Sequence, residues 1–235
     1  MKMLLALAVA LMALSPSPGF AQGGLLLHWD DCSEGGTKDK VFACDTNEGD
    51  PFVLYASFTP PAALPRLLSA TFSFHVGVEG GSPVPWWQTN FGACRSQAID
   101  IPFRPGDLIT NCPIFWSGPL GGTFQLRDDQ VPGFDFQLYG AAAGSHMDVR
   151  ADGTEWTLQK ITLTRAHSTG DASCAGCLLG AEVVFDLCLL DQVGSSPDYA
   201  ITQAAWPGAN RATWNAGPPT VAVARSWGAI KGLLR

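Results

Sequence analysis

The stretch SATFSFHV at residues 69–76 alternates polar with apolar side chains, and this alternation decides the fold class. Its apolar members are Ala70, Phe72, Phe74 and Val76. Successive side chains of a β-strand point to opposite faces, so these four would share one face. The stretch therefore predicts a strand with one face against a hydrophobic core.

Similar alternation recurs along the chain, and residues that favour turns separate the runs. The further runs are residues 52–58, 123–127 and 183–189, and the turns are residues 79–83, 104–107, 118–122, 151–153 and 194–198. Residues 154–165 change phase midway, which indicates a β-bulge near Gln159 and Lys160. Many short strands with Gly/Pro turns predict an all-β fold, an antiparallel β-sandwich or jelly roll. A short helix is predicted at residues 226–234.

The composition narrows the class of protein further. Of 235 residues, 46% are hydrophobic and 15% are charged, with 26 Gly and 17 Pro. These values exclude a coiled coil and a charged disordered chain, and they supply enough apolar material for a core. The net charge of −7 argues against nucleic acid as a partner, because phosphate binding needs an excess of basic residues.

The first 21 residues have the pattern of a secretory signal peptide. Lys2 precedes an apolar run at residues 4–14, and Gly19-Phe20-Ala21 resembles a cleavage site. The alternative is a buried N-terminal helix. With the signal removed, residues 22–235 are expected to form a single β-sandwich domain, secreted to the periplasm or beyond. No later stretch reaches about 18 consecutive apolar residues, so no membrane insertion is expected.

The cysteines agree with an oxidising compartment and are expected to form disulfides. Proximity in the sequence suggests the pairs Cys32–Cys44 and Cys94–Cys112. The last three cysteines, Cys174, Cys177 and Cys188, allow one more pair, either Cys174–Cys177 or Cys177–Cys188. Cys188 also fits a buried, inert thiol. The C-x-x-C at residues 174–177 lies in a loop of small residues, which favours a disulfide-pinned loop over a redox or zinc site.

Among possible contact residues, the adjacent pair Trp86 and Trp87 is the most suggestive. In an extended chain the two rings point to opposite faces, so at least one is expected to leave the core and meet a sugar or a protein partner. The alternative is that both fill the space between two sheets. His75 is the second candidate contact, because it lies on the polar face of the strand at residues 69–76.

Two further features bear on catalysis and metal binding. The chain has no G-x-S-x-G or H-E-x-x-H motif, so hydrolase signatures are missing. Asp45, Asn47 and Asp50 could supply oxygens to calcium, although Ala56 stands where a calcium-binding EF-hand needs Glu. The alternative is a turn whose Asp and Asn side chains cap its own backbone. No other cofactor is expected.

Several motifs resemble a family of secreted proteins of environmental bacteria that has no assigned activity. The matching stretches are Leu27-His28-Trp29-Asp30-Asp31-Cys32, Phe42-Ala43-Cys44-Asp45-Thr46-Asn47, Pro85-Trp86-Trp87-Gln88, Cys94-Arg95, Ser173 to Cys177, and the tail Ser226 to Arg235. The resemblance implies no functional residue. Members of that family commonly carry further cysteines near the end, and this chain has none after Cys188.

These observations favour a secreted, non-catalytic protein that binds a surface, a glycan or a protein partner. One alternative is a glycan-active hydrolase or lyase on a jelly-roll scaffold. Another is a structural component of an envelope or matrix.

Overall fold

The computed structural model describes residues 23–80, 84–194 and 196–215. Both the predicted signal peptide at residues 1–21 and the predicted helix at residues 226–234 lie outside these residues. Within them the chain is almost entirely strand and turn, and it forms no α-helix. This confirms the expected all-β class.

The described part of the chain contains eleven strands. They are β1 (Gly24–Trp29), β2 (Asp39–Lys40), β3 (Phe52–Thr59), β4 (Leu64–Val78), β5 (Ile99–Asp100), β6 (Ser117–Asp128), β7 (Phe136–Val149), β8 (Trp156–Leu163), β9 (Ala181–Gln192), β10 (Tyr199–Ile201) and β11 (Arg211–Trp214). Three single-turn 3₁₀ helices lie between strands, at Ser33–Gly35, Pro85–Trp87 and Pro105–Asp107.

The strands form two sheets. One has four strands in the order β1-β3-β8-β5, and the other has seven, in the order β2-β11-β9-β4-β7-β6 with β10 also paired to β9. All pairs are antiparallel except β2 with β11. The predicted bulge in β8 lies at Leu158, because Gln159 faces Ala56 while Thr157 faces the next residue, Ser57.

Alternation places the core between the two sheets. Phe72, Phe74 and Val76 of β4 are buried together with Leu54 and Phe58 of β3. The polar residues between them in β4 face the other side of the seven-stranded sheet, as residues 69–76 predicted. The structure is therefore a two-layer β-sandwich.

Three disulfides cross the molecule, and the pairs expected from proximity are wrong. The bonds are Cys32–Cys112, Cys44–Cys177 and Cys94–Cys174. Cysteines that are close in the sequence do not pair, because the strands between them place them in different parts of the fold. The parallel pairing of β2 with β11 draws Cys44 toward the loop before β9, where Trp214 Nε1 donates 2.7 Å to the Cys177 carbonyl.

The loop at residues 174–177 is pinned by disulfides, but to two distant partners and not within itself. Gly176 has φ of 106°, a backbone conformation that favours glycine and lets the two sulfurs diverge. Neither Cys174–Cys177 nor Cys177–Cys188 exists. Cys188 is a free, buried thiol whose pKa is raised by burial, as the inert-thiol interpretation predicted.

Candidate functional site

Both Trp86 and Trp87 are in the core, so the expectation that at least one is exposed is wrong. Their exposed fractions are 0% and 4%. The expectation assumed an extended chain, but Pro85–Trp87 forms a 3₁₀ turn. Successive side chains of such a turn lie about 120° apart, and both rings can point inward. Each packs on Trp214, with ring centroids 4.8 Å and 5.5 Å away.

The turn nevertheless borders an open cleft at one end of the sandwich. The cleft has a volume of about 250 Å³. We call it the rim cleft and define it by its lining residues, which are Trp87, Gln88, Thr89, Asn90, Ala93, Leu126, Arg127, Asp128 and Phe136. The lining thus combines amides and charged groups with apolar side chains.

Arg127 in the rim cleft is held in place by the outer face of the seven-stranded sheet. Its Nε donates 2.7 Å to Gln137 Oε1, and its guanidinium carbon lies 5.4 Å from the centre of the Tyr139 ring. Gln137 is fixed in turn, because its Nε2 donates 2.6 Å to Ser73 Oγ. The cation is therefore oriented before any ligand arrives.

Below the rim cleft, a narrow apolar space separates the two sheets. This interlayer gap has a volume of about 30 Å³. Side chains of both sheets line it, including Leu54, Ile161 and Leu163 on one side and Phe74, Leu138 and Val183 on the other. Trp87, Thr89 and Phe136 line both cavities, so the gap continues the cleft inward.

The structure places His75 beside the cleft but out of a ligand's reach. It is 1% exposed and lies between two carboxylates, with Nε2 3.0 Å from Asp186 Oδ1 and Nδ1 bonded to Asp129 Oδ2. Phe134 also packs near its ring, at 5.3 Å between centroids. His75 therefore holds the segment after β6 against the sheet and is buried beneath it.

Asn47, one of the three candidate calcium residues, is bonded to the loop at Thr169. Asn47 Oδ1 accepts a 2.9 Å bond from the Thr169 amide, and its Nδ2 donates 3.0 Å to the Thr169 carbonyl. Its amide thus joins two loops that are distant in the sequence, whereas the turn interpretation expected it to cap its own backbone. Among the His, Cys, Asp and Glu side chains of the described residues, the one close group of three is Cys32, Cys112 and Glu155, and its sulfurs are bonded to each other.

Arg95 is the buried residue that sequence reasoning missed. Its side chain is 0% exposed, and its guanidinium carbon lies 3.6 Å from the centre of the Trp86 ring. It donates to three backbone carbonyls, those of Trp86, Ala166 and Thr164, the first two at 2.9 Å. Burial lowers its pKa to about 10. The signal was the Cys94-Arg95 pair among the quoted motifs.

A second buried polar cluster lies at the four-stranded sheet, around His28. The imidazole is 5% exposed, and its Nδ1 lies 3.9 Å from Glu155 Oε1. Burial, assisted by the charge of Lys38, lowers the pKa of His28 to about 4. Burial also lowers the pKa of Lys38 to about 8, and its ammonium donates to the carbonyls of Leu27 and Ala209.

The pKa of His28 predicts a loss of stability in mild acid. Between pH 6.5 and about 4 the unfolded chain takes up a proton at this position, whereas the folded chain does not. The free energy of unfolding should therefore fall by about 2 kcal/mol as the pH drops through this window. Urea unfolding at several pH values measures this loss of stability.

Two variants test the assignment to His28. His28→Gln should remove this contribution, while His167→Gln, at an exposed histidine, should leave the pH dependence of the free energy of unfolding unchanged. An equal slope in both variants would contradict the assignment.

No protein-family model, curated protein or solved structure matches the chain. Within the described residues, no helix is long and apolar enough to cross a membrane. The three disulfides fit a protein of an oxidising compartment outside the cytoplasm.

Proposed function

We propose that this is a secreted, non-catalytic carbohydrate-binding protein whose ligand occupies the rim cleft. The observation that carries the proposal is the lining of that cleft. Asn90, Arg127 and Asp128 supply donors and acceptors for hydroxyl groups, and Leu126 and Phe136 supply apolar surface for a sugar ring. The volume of about 250 Å³ suits one or two sugar residues better than a large ligand.

Rigidity of the cleft walls also supports binding. The loop that carries Thr89 and Asn90 is tied to the rest of the fold by the Cys94–Cys174 disulfide and by Arg95. The opposite wall ends at Arg127, which the sheet already orients. Walls that are ordered before binding lose little conformational entropy when the ligand arrives.

The lining favours binding over hydrolysis. Glycoside hydrolysis generally requires two carboxyl groups that flank the scissile bond. Among the residues that the structure describes, Asp128 is the one carboxylate that lines the rim cleft, and the neighbouring Asp129 is committed to His75. A hydrolase or lyase therefore has less support here than a binding protein.

A glycan array probed with the purified protein tests the proposal. We expect binding to a limited set of glycans, and Arg127→Ala should weaken it about tenfold or more, because it removes a charge-assisted hydrogen bond. Arg66→Ala is the matched control, since Arg66 is exposed at the opposite end of β4. Absence of binding to every glycan, or equal loss in both variants, would contradict the proposal. Shortening of a bound glycan would favour the hydrolase alternative.

A further inference from the structure

Two buried polar atoms, on residues that line both the rim cleft and the interlayer gap, have no hydrogen-bond partner among the described residues. They are the indole Nε1 of Trp87 and the hydroxyl Oγ1 of Thr89. The two residues are only 4% and 7% exposed. Buried polar groups in folded proteins are nearly always paired, because leaving one unpaired costs free energy. Other buried side-chain atoms of the described residues also lack a partner, but these two belong to residues that line the rim cleft and the interlayer gap, which suggests that a ligand supplies the missing acceptor.

The position of Trp87 and Thr89 indicates which chemical group of a ligand would carry the acceptor. Trp87 and Thr89 line both cavities, with the polar cleft on one side and the apolar gap on the other. The gap of about 30 Å³ has room for roughly two groups the size of a water molecule. Its walls are side chains such as Leu54, Phe74 and Val183, so it suits a small apolar group.

We propose that the sugar bound in the rim cleft carries an N-acetyl group, and that this group is recognised at the junction. The acetyl oxygen displaces the side chains that cover Trp87 Nε1 and Thr89 Oγ1 in the unbound protein and accepts a hydrogen bond from one or both of them. The methyl group enters the interlayer gap. The ring hydroxyls remain in the rim cleft, near Asn90 and Arg127. This inference rests on the proposed carbohydrate binding and names the class of sugar, an N-acetylated hexosamine.

Simpler sugars fit the junction less well. A free hydroxyl at this position would satisfy a donor but leave the apolar gap unfilled. A free amine would bring a positive charge to an apolar space and offer no acceptor to the indole N–H. The three carbons that a butanoyl group places beyond its carbonyl would exceed the volume of the gap. The geometry therefore selects by the presence and by the length of the acyl group.

Ligands that differ only in this group test the inference on the unmodified protein. The probes are N-acetylglucosamine with glucose and N-acetylgalactosamine with galactose, together with N-propionyl and N-butanoyl glucosamine. We expect each acetylated sugar to bind at least about tenfold more tightly than its partner. The butanoyl sugar should bind at least about fivefold more weakly than the acetyl sugar. Calorimetry, or NMR titration at millimolar ligand, gives the affinities.

A pair of isosteric variants locates the recognition. Thr89→Val removes the unpaired hydroxyl and should reduce the preference for the acetylated sugar about fivefold, with little change for glucose. Thr157→Val is the matched control, because Thr157 is also buried with an unpaired Oγ1 but does not line either cavity. Both variants should melt at or above the temperature of the unmodified protein. Trp87→Phe, which removes the indole N–H, should also lower the preference.

The outcomes separate the two proposals. If sugars bind in the rim cleft but acetylated and plain sugars bind equally, carbohydrate binding stands and the acetyl inference is overturned. If the acetyl preference persists unchanged in both Thr89→Val and Trp87→Phe, the inference is overturned as well. If no sugar on the array or in this panel binds, both proposals fail.

Discussion

Replacing Arg95 with methionine is expected to lower the free energy of unfolding by about 4 kcal/mol. The variant leaves three carbonyls, the buried one of Trp86 and the part-buried ones of Thr164 and Ala166, without the guanidinium donor. It also removes the cation from the face of Trp86. Methionine keeps much of the aliphatic volume, so the loss reports mainly on the guanidinium.

Urea unfolding of Arg95→Met measures this loss of stability, and two further variants serve as a control and as a partial rescue. Arg104→Met, at an exposed arginine, should change the free energy of unfolding by less than about 0.5 kcal/mol. Arg95→Lys should recover only part of the loss, because one ammonium cannot reproduce the planar array of donors. A loss below about 1 kcal/mol for Arg95→Met would show that the guanidinium contributes little to the stability of the fold.

Removing the Cys44–Cys177 disulfide should have a comparable effect. This bond closes a segment with a sequence separation of 133 residues. On the chain-entropy model, closing a loop of that length stabilises the fold by about 5 kcal/mol, and measured losses for such bonds are about 2 to 5 kcal/mol. The double variant Cys44→Ser/Cys177→Ser should therefore lose about 4 kcal/mol in urea unfolding.

The control for this prediction is the remaining cysteine. Cys188→Ala removes a buried thiol but no crosslink, and it should cost about 1 kcal/mol. Proteolysis without reduction, followed by mass spectrometry, tests the pairing directly. Recovery of a peptide that joins Cys32 to Cys44 would contradict the disulfide pattern, and so would an equal loss of stability in Cys188→Ala and in the double variant.

The strands could be predicted from the sequence, because alternation is a local property. Phe72, Phe74 and Val76 reveal the core face of β4 without knowledge of any other strand. Even the bulge in β8 was visible as a change of phase, one residue from its position at Leu158. Pairings between distant segments leave no such local trace. The partner of Cys44 depends on β2 lying beside β11, and no nearby residue indicates this.

The candidate site was harder to predict, for different physical reasons. The exposure of Trp86 and Trp87 was inferred for an extended chain, and a single 3₁₀ turn was enough to reverse it. His75 does lie on the polar side of β4, but the segment that covers it follows β6, much later in the chain. Arg95 has the chemistry of a surface residue, and only the carbonyls around it explain its burial.

The interlocked disulfides also constrain how the chain can mature. Cys112 and Cys177 emerge long after Cys32 and Cys44, so during vectorial synthesis the earliest thiols meet the wrong partner first. A bond formed at that point must later be broken by thiol–disulfide exchange before the native pairs can form. Correct pairing would then require thiol–disulfide exchange as well as oxidation.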